Sequence, residues 1–203
     1  IPKVVLPRHE PGVYGGDWRM VTVGAGNLGG IHGRIFYTSM INWSQDWKSL
    51  EPGVLRKWTV SPDGRHFTFY MRKGLRLSNG AFYTADDVAF VFKYVFENPQ
   101  INPVYPDWLV QDGHRVKFTK IDRYTFRFSF PKPNGRLLYT MAVQSWTLFH
   151  SRHYLKKFIP PFVSEATADS IAAAAGFSRW SAYFRQVVSL PFQNPELPTL
   201  FPW

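Results

Sequence analysis

The chain has 203 residues, 45% of them hydrophobic and 18% aromatic, enough to bury a sizeable core and far from the composition of a disordered segment. It has no cysteine, which excludes disulfides, thiolate zinc sites and a cysteine nucleophile, and no apolar run long enough for a membrane-spanning helix. The formal charge is +10, but the basic residues divide evenly, 12 in residues 1–100 and 12 in 101–203, which argues against a concentrated nucleic-acid footprint.

Ile1 opens the sequence, and no charged-then-apolar leader follows it. The expectation is a removed targeting segment or a chain that begins inside a longer protein. "RMVTVG" (19–24) predicts a short strand and "GAGNLGG" (24–30) a flexible turn. That turn lacks the G-x-G-x-x-G order, and no Lys-Ser/Thr pair follows it to make a phosphate loop. Residues 31–43 alternate poorly and are expected to be helical.

From Leu50 to Gly80 the pattern is a β-meander. Pro62-Asp63-Gly64 is a turn in which Pro presets φ and Gly accepts positive φ. After it Phe67, Phe69 and Met71 fall on one strand face and His66, Thr68, Tyr70 and Arg72 on the other. Asn79-Gly80 is a second turn signal.

"YTADDVAFVFKY" (83–94) raises the question of its two adjacent acids. Thr84 is a good N-cap residue, Asp86 and Asp87 stand in the first turn where the helix dipole favours negative charge, and a Glu at 87 would complete a capping box. Val88, Val91, Phe92 and Val95 make an apolar stripe at helical spacing. The acids therefore read as a helix start. An acid–base pair would need two carboxylates facing one cleft, and adjacent helical positions diverge by about 100°.

A second hairpin follows, with Val116, Phe118, Tyr124, Phe126, Phe128 and Phe130 turned inward and Arg115, Lys117, Arg123 and Arg127 outward. Residues 113–136 hold seven basic residues against Asp122 alone, the pattern of a solvated sheet face. A single-strand nucleic-acid groove wants aromatics among its charges, and here they alternate to the opposite face. "LLYTMAV", "SRHYLKKF", "SEATADSIAAAAG" with Ser164 as cap and Gly176 as stop, and "FSRWSAYFRQV" read as helices; "LPFQNPELPTLFPW" (190–203) reads as a loop.

The order of these elements carries a resemblance. Pro52 through Trp58, the Ser61–Gly64 turn, Phe67 through Leu77, and Asn79 to Val88 resemble, in sequence, the signature region of the family 5 extracellular solute-binding proteins. "KFTKIDRYTFRFSF" (117–130) resembles that family's next hairpin and "RHYLKKF" (152–158) its "K-H-Y-L" helix. Asn79 replaces a common Asp, and Leu55-Arg56-Lys57 replaces Ala-Glu-Ser before the signature Trp58.

The resemblance implies an α/β fold, periplasmic-binding-protein-like (type II, cluster C-like), of which this chain is the N-terminal part with a small β-rich subdomain. The implied division is a main-lobe segment at 1–45, an inserted β-rich subdomain with its capping helix at 46–135, and a return to the main lobe at 136–203. The implied function is that of the substrate-binding component of an ABC transporter, capturing oligopeptides in the periplasm or another extracytoplasmic space and delivering them to membrane permease subunits. An oligosaccharide ligand is the alternative, as is a non-transport interaction protein that keeps the fold. No cofactor, metal, nucleic-acid partner or enzymatic activity is implied. By the resemblance Gly24, Ala25, Gly26, Asn27 and Leu28 border the ligand cleft, with Trp146 where the chain returns to the main lobe. An ordinary surface turn and a core tryptophan are the plain alternatives. His150 and His153 stand at helical spacing, but no acid or third His lies nearby to complete a metal site. Because the second lobe belongs to the missing part, the isolated chain is expected to bind no ligand tightly.

Overall fold

The structure, a computed structural model, describes residues 39–190 and 193–200. The expected strand at 19–24 and the glycine-rich turn after it lie outside the described residues. Within them the first element is not the expected helix. Ile41–Trp43 (β1) is a strand, paired antiparallel with Leu50–Pro52 (β2). Side chains close this hairpin: Ser44 Oγ donates to Asp46 Oδ1 at 2.7 Å, Lys48 N–H to the same oxygen at 3.2 Å, and Ser49 N–H to Ser44 Oγ at 2.9 Å. Short polar side chains that satisfy nearby backbone groups compete with a helix, and here they win. The expected division at 45/46 falls inside this hairpin.

Gly53 makes the corner out of β2. A Cβ there would stand 2.2 Å from the Ser39 carbonyl oxygen, so only glycine lets the two backbones approach this closely.

Leu55–Val60 (β3) and His66–Met71 (β4) form the predicted meander, with Gly64 at φ +65 in its turn. After short pairings of Val110–Gln111 (β5) with His114–Arg115 (β6), the second hairpin is Lys117–Asp122 (β7) and Thr125–Ser129 (β8). The sheet runs in the order β3-β4-β8-β7, antiparallel throughout. The register sets Phe67 against Phe128 and Phe69 against Phe126. Phe69 therefore meets Phe126 and Phe128 with ring centroids 5.2 Å apart in both cases. Each fully buried Phe of this face contributes about 1.5–3 kcal/mol. The opposite face is polar; its Arg127 Nε donates to Thr68 Oγ1 at 3.1 Å, which is how Thr68 comes to be buried on the outward side.

The helix at the two acids is present: Ala85–Phe90 (α1), continued by a wider π-helical turn over Val91–Phe96. Val88, Val91, Phe92 and Val95 are buried as the stripe requires. Phe92 stacks on Phe118 at 4.6 Å and meets Phe128 at 5.3 Å, laying this helix over the apolar face of the sheet.

Beyond the sheet come Leu137–Gln144 (α2), a 3₁₀ turn at Ser145–Leu148, Arg152–Leu155 (α3), Glu165–Ala174 (α4), and Trp180–Tyr183 (α5) with a π-helical continuation to Val188. Helix α2 packs on β1 and β2. Ser164 Oγ caps α4 by accepting from Thr167 N–H at 3.1 Å, and Gly176 at φ +83 follows its end, both as expected. Residues 193–200 contain no regular element and are tied back at Thr199, whose carbonyl accepts Ser78 N–H at 2.8 Å.

Candidate functional site

Asp87 has no exposed surface and is fully engaged in holding structure. Its Oδ2 accepts the Thr84 backbone N–H at 2.9 Å, so the shorter Asp does complete the capping box. Its Oδ1 accepts the Arg152 N–H at 3.2 Å, a residue 65 positions away. Burial pushes the carboxyl of Asp87 upward, against the two N–H bonds and the Arg152 charge, which pull it down. Asp86 bonds Lys120 Nζ at 2.5 Å, and that bond holds its carboxyl below the usual range. The two neighbours share the Arg152 guanidinium, 3.8 Å from Asp86 and 3.7 Å from Asp87, while Asp86 also faces Lys120 and Asp87 closes the helix cap.

The segment between α2 and α3 is pinned from three sides. Met40 N–H donates to the buried Ser145 Oγ at 2.9 Å, the Tyr83 hydroxyl donates to the Leu148 carbonyl at 2.8 Å, and Asp87 holds Arg152. The turn Ser145–Leu148 carries Trp146. Burial drives the Tyr83 hydroxyl well above its ordinary pKa, with the Asp87 charge adding to the shift, and keeps it a hydrogen-bond donor. His150 has a buried Nδ1 without a partner, and burial pushes its pKa down to about 4.

Next to this pinned turn lies a polar groove of about 440 Å³. It runs from Asp107 and Trp108, past Gln111 and Asp112, to Arg136, Thr140 and Gln144 on the N-terminal and outer turns of α2. Asn134 Oδ1 accepts the N–H groups of Arg136 and Leu137 at 3.1 and 3.0 Å and fixes the start of α2. Gln111 Nε2 donates to the Pro133 carbonyl at 3.0 Å, and Asp112 pairs with Lys132 at 2.8 Å. The groove therefore presents carboxylates, a guanidinium, side-chain amides and an indole on ordered backbone. Such a set can hold an uncharged polar chain along its donors and acceptors and cover it with a ring.

The family model for "Bacterial extracellular solute-binding proteins, family 5 Middle" matches residues 49–177. The chain belongs to this family. The solved structure of an oligopeptide-binding protein OppA is 32% identical to this family 5 chain, with a TM-score of 0.81 over 93% of this chain and 29% of that one. The structure of MelB from Agrobacterium fabrum C58, in complex with stachyose, shares the fold, at 23% identity and a TM-score of 0.63 over 86% of this chain and 25% of that one. Among curated relatives, the di/tripeptide-binding protein 1 of Pseudomonas aeruginosa (strain UCBPP-PA14) is 26% identical over 106 residues, 45% of this chain and 20% of that protein. The periplasmic alpha-galactoside-binding protein of Rhizobium meliloti (strain 1021) is 30% identical over 92 residues, 45% of this chain and 13% of that protein. The fold is the family 5 periplasmic-binding-protein fold, and the chain spans a fifth or less of the length of these two curated relatives. No helix among the described residues is long and apolar enough to cross a membrane.

Of the residues singled out by the family resemblance, Gly24, Ala25, Gly26, Asn27 and Leu28 lie outside the described residues. Trp146 is placed along the chain in the pinned 3₁₀ turn, two residues beyond Gln144 of the groove, and its side chain too lies outside the described residues. Trp58 packs half-buried against the core. Sequence reasoning did not single out Trp108 as a groove residue; the aromatic between Asp107 and Leu109 just before a two-residue strand was its one signal. It also missed an exposed aromatic group. Trp43 stacks on Tyr139 at 5.5 Å and lies 5.9 Å from Trp47, which is 72% exposed with φ +59.

Proposed function

We propose that this family 5 chain forms part of the substrate-binding component of an ABC transporter, which captures oligopeptides outside the cytoplasm, in the periplasm of a Gram-negative cell or its equivalent, and hands them to a permease. The observation that carries the reading is the polar groove against the pinned turn of Trp146. A peptide backbone offers N–H and C=O groups at every residue, and the amides, carboxylates and guanidinium of the groove match both kinds. By the family resemblance Gly24–Leu28 would add main-chain groups to the ligand, with Trp146 as a cover. Closure follows from contacts made only in the closed state. In this reading 46–135 is the β-rich subdomain that carries part of the groove and 136–203 returns to the main lobe. The peptide-binding relatives favour this ligand class. In this reading the chain captures and releases its ligand, and Asp86 and Asp87, its adjacent acids, are engaged by Lys120 and the helix cap.

An oligosaccharide is the second reading, favoured by the exposed Trp43–Tyr139–Trp47 rings, which suit a sugar face, and by the alpha-galactoside-binding relative. Native mass spectrometry of the longest form of the protein its gene encodes, purified without denaturation, separates the two. Co-purified masses that fragment as peptides support the first reading, and hexose-spaced masses replace it with the second.

A further inference from the structure

We propose that a basic cavity at the bulged end of the four-stranded sheet binds phosphate-bearing anions. The cavity measures about 490 Å³ and shares no lining residue with the groove. Arg56, Arg72, Lys73 and Arg123 converge on it, between Tyr70 and Tyr124. Asp122 is the sole acid of its lining, and its carboxylate accepts the Tyr124 N–H at 2.6 Å as part of the β7–β8 turn. A formal excess of three positive charges remains.

The backbone aims these cations. The β3–β4 ladder passes from Leu55↔Met71 directly to Lys57↔Tyr70, which leaves Arg56 as a bulge residue with no partner across the strand. A second bulge, at Ile121, interrupts β7 between Lys120 and Asp122 beside the same end of the sheet. Bulges re-aim side chains and are enriched next to functional sites. The frame around them is bonded: Met71 N–H donates to the Tyr124 carbonyl at 2.8 Å, and Ala85 N–H to the Arg123 carbonyl at 3.0 Å.

What holds the three arginines in place does not neutralise them. Arg72 Nε donates to the Gly53 carbonyl at 3.0 Å, which orients the guanidinium and leaves its Nη groups for another acceptor. Arg123 lies 5.6 Å from the Tyr124 ring centroid and 5.7 Å from that of Phe82. Ring faces attract a cation through their quadrupole and keep its charge available. An ordinary solvated face would show pairs like Lys120–Asp86 and Lys132–Asp112. Among the described residues, Arg56, Arg72 and Arg123 have no carboxylate within 4.0 Å. Converging guanidinia match phosphate oxygens with paired N–H donors, and the volume leaves room for an organic remainder. A lipid headgroup and a soluble organic phosphate share this chemistry.

The test uses the chain as it stands, at low salt because exposed charge is screened. Inorganic pyrophosphate is titrated calorimetrically, and vesicles of phosphatidylglycerol or phosphatidylcholine are co-sedimented. The variants are the double change Arg56→Gln/Arg123→Gln and the charge-matched control Lys117→Gln/Lys157→Gln, each checked by circular dichroism; Arg56→Gln alone replaces the double if folding is lost. The expected result is binding to at least one anionic probe, weakened about tenfold or more in the cavity variant and by less than about twofold in the control, as guanidinium–phosphate pairs predict. Retention by phosphatidylglycerol alone assigns a headgroup, and response to pyrophosphate alone assigns a soluble phosphate. Failure of both probes, or equal loss in the control, overturns the proposal.

Discussion

Replacing Asp87 by Ala removes a residue that satisfies two distant pieces of backbone at once. Thr84 N–H and Arg152 N–H both lose their acceptor, at 2.9 and 3.2 Å. A buried donor left unsatisfied costs about 1–3 kcal/mol, and loss of a helix cap about 0.5–2 kcal/mol. The terms overlap at Thr84, so the expected cost is about 3–5 kcal/mol, or roughly 10 °C in melting temperature at 2–4 °C per kcal/mol for a chain of this size. Asp87→Asn keeps one carbonyl acceptor but turns an NH2 donor toward the other of the two N–H groups, so it should cost about 2–3 kcal/mol, less than Asp87→Ala. Asp86→Ala removes a partly exposed pair with Lys120 and should cost less than about 1 kcal/mol. Urea unfolding of the three variants at constant slope gives the comparison. If Asp87→Ala is no worse than Asp86→Ala, Asp87 is not the tie between α1 and α3, and the argument for a pinned Trp146 turn fails with it.

His150 makes stability pH-dependent: its folded pKa of about 4 lies below the ordinary 6.5, so its contribution is intact above pH 6.5 and is lost as pH falls toward 4, by up to about 3 kcal/mol. Asp86, lowered, adds a loss at still lower pH, whereas Asp87, raised, titrates with the opposite sign; a His150→Leu variant should flatten the decline in urea midpoint between pH 6.5 and 4. Gly53→Ala forces the Ser39 carbonyl away and should cost about 1–3 kcal/mol or more, read as a lowered melting temperature. Phe128→Ala, at the centre of the Phe69–Phe92–Phe126 contacts, should cost about 3–5 kcal/mol in the same assay.

Much of the sheet was readable because its signals are local. Alternation placed Phe67, Phe69, Phe126 and Phe128 inside, and Thr84 with an apolar stripe placed α1. The hairpin at 41–52 was not readable as such, because its closure rests on Ser44 and Asp46 side chains that look equally at home in a helix start. The bond from Asp87 to Arg152 spans 65 positions, and no periodicity connects residues that far apart. The basic cavity was hidden for the same reason: Arg56 reads as one more outward residue of β3 until the bulge opposite Met71 and Tyr70 is seen. The groove draws on three stretches, 107–112, 134–137 and 140–144, and only the fold brings Trp108 to Arg136.

The most direct test of the account is calorimetric titration of a defined pentapeptide, with cello- and xylo-oligosaccharides in parallel, into the longest form of the protein its gene encodes and into its Trp108→Ala and Arg136→Gln variants. The account predicts peptide binding with a Kd near or below about one micromolar, roughly −8 kcal/mol. It also predicts a loss of about tenfold or more in each variant, close to the 1.4 kcal/mol expected for one ring or ion contact. No response to the sugars is expected. Peptide binding that neither variant weakens would contradict the placement of the site, and no peptide binding at millimolar concentration would contradict the proposed function itself.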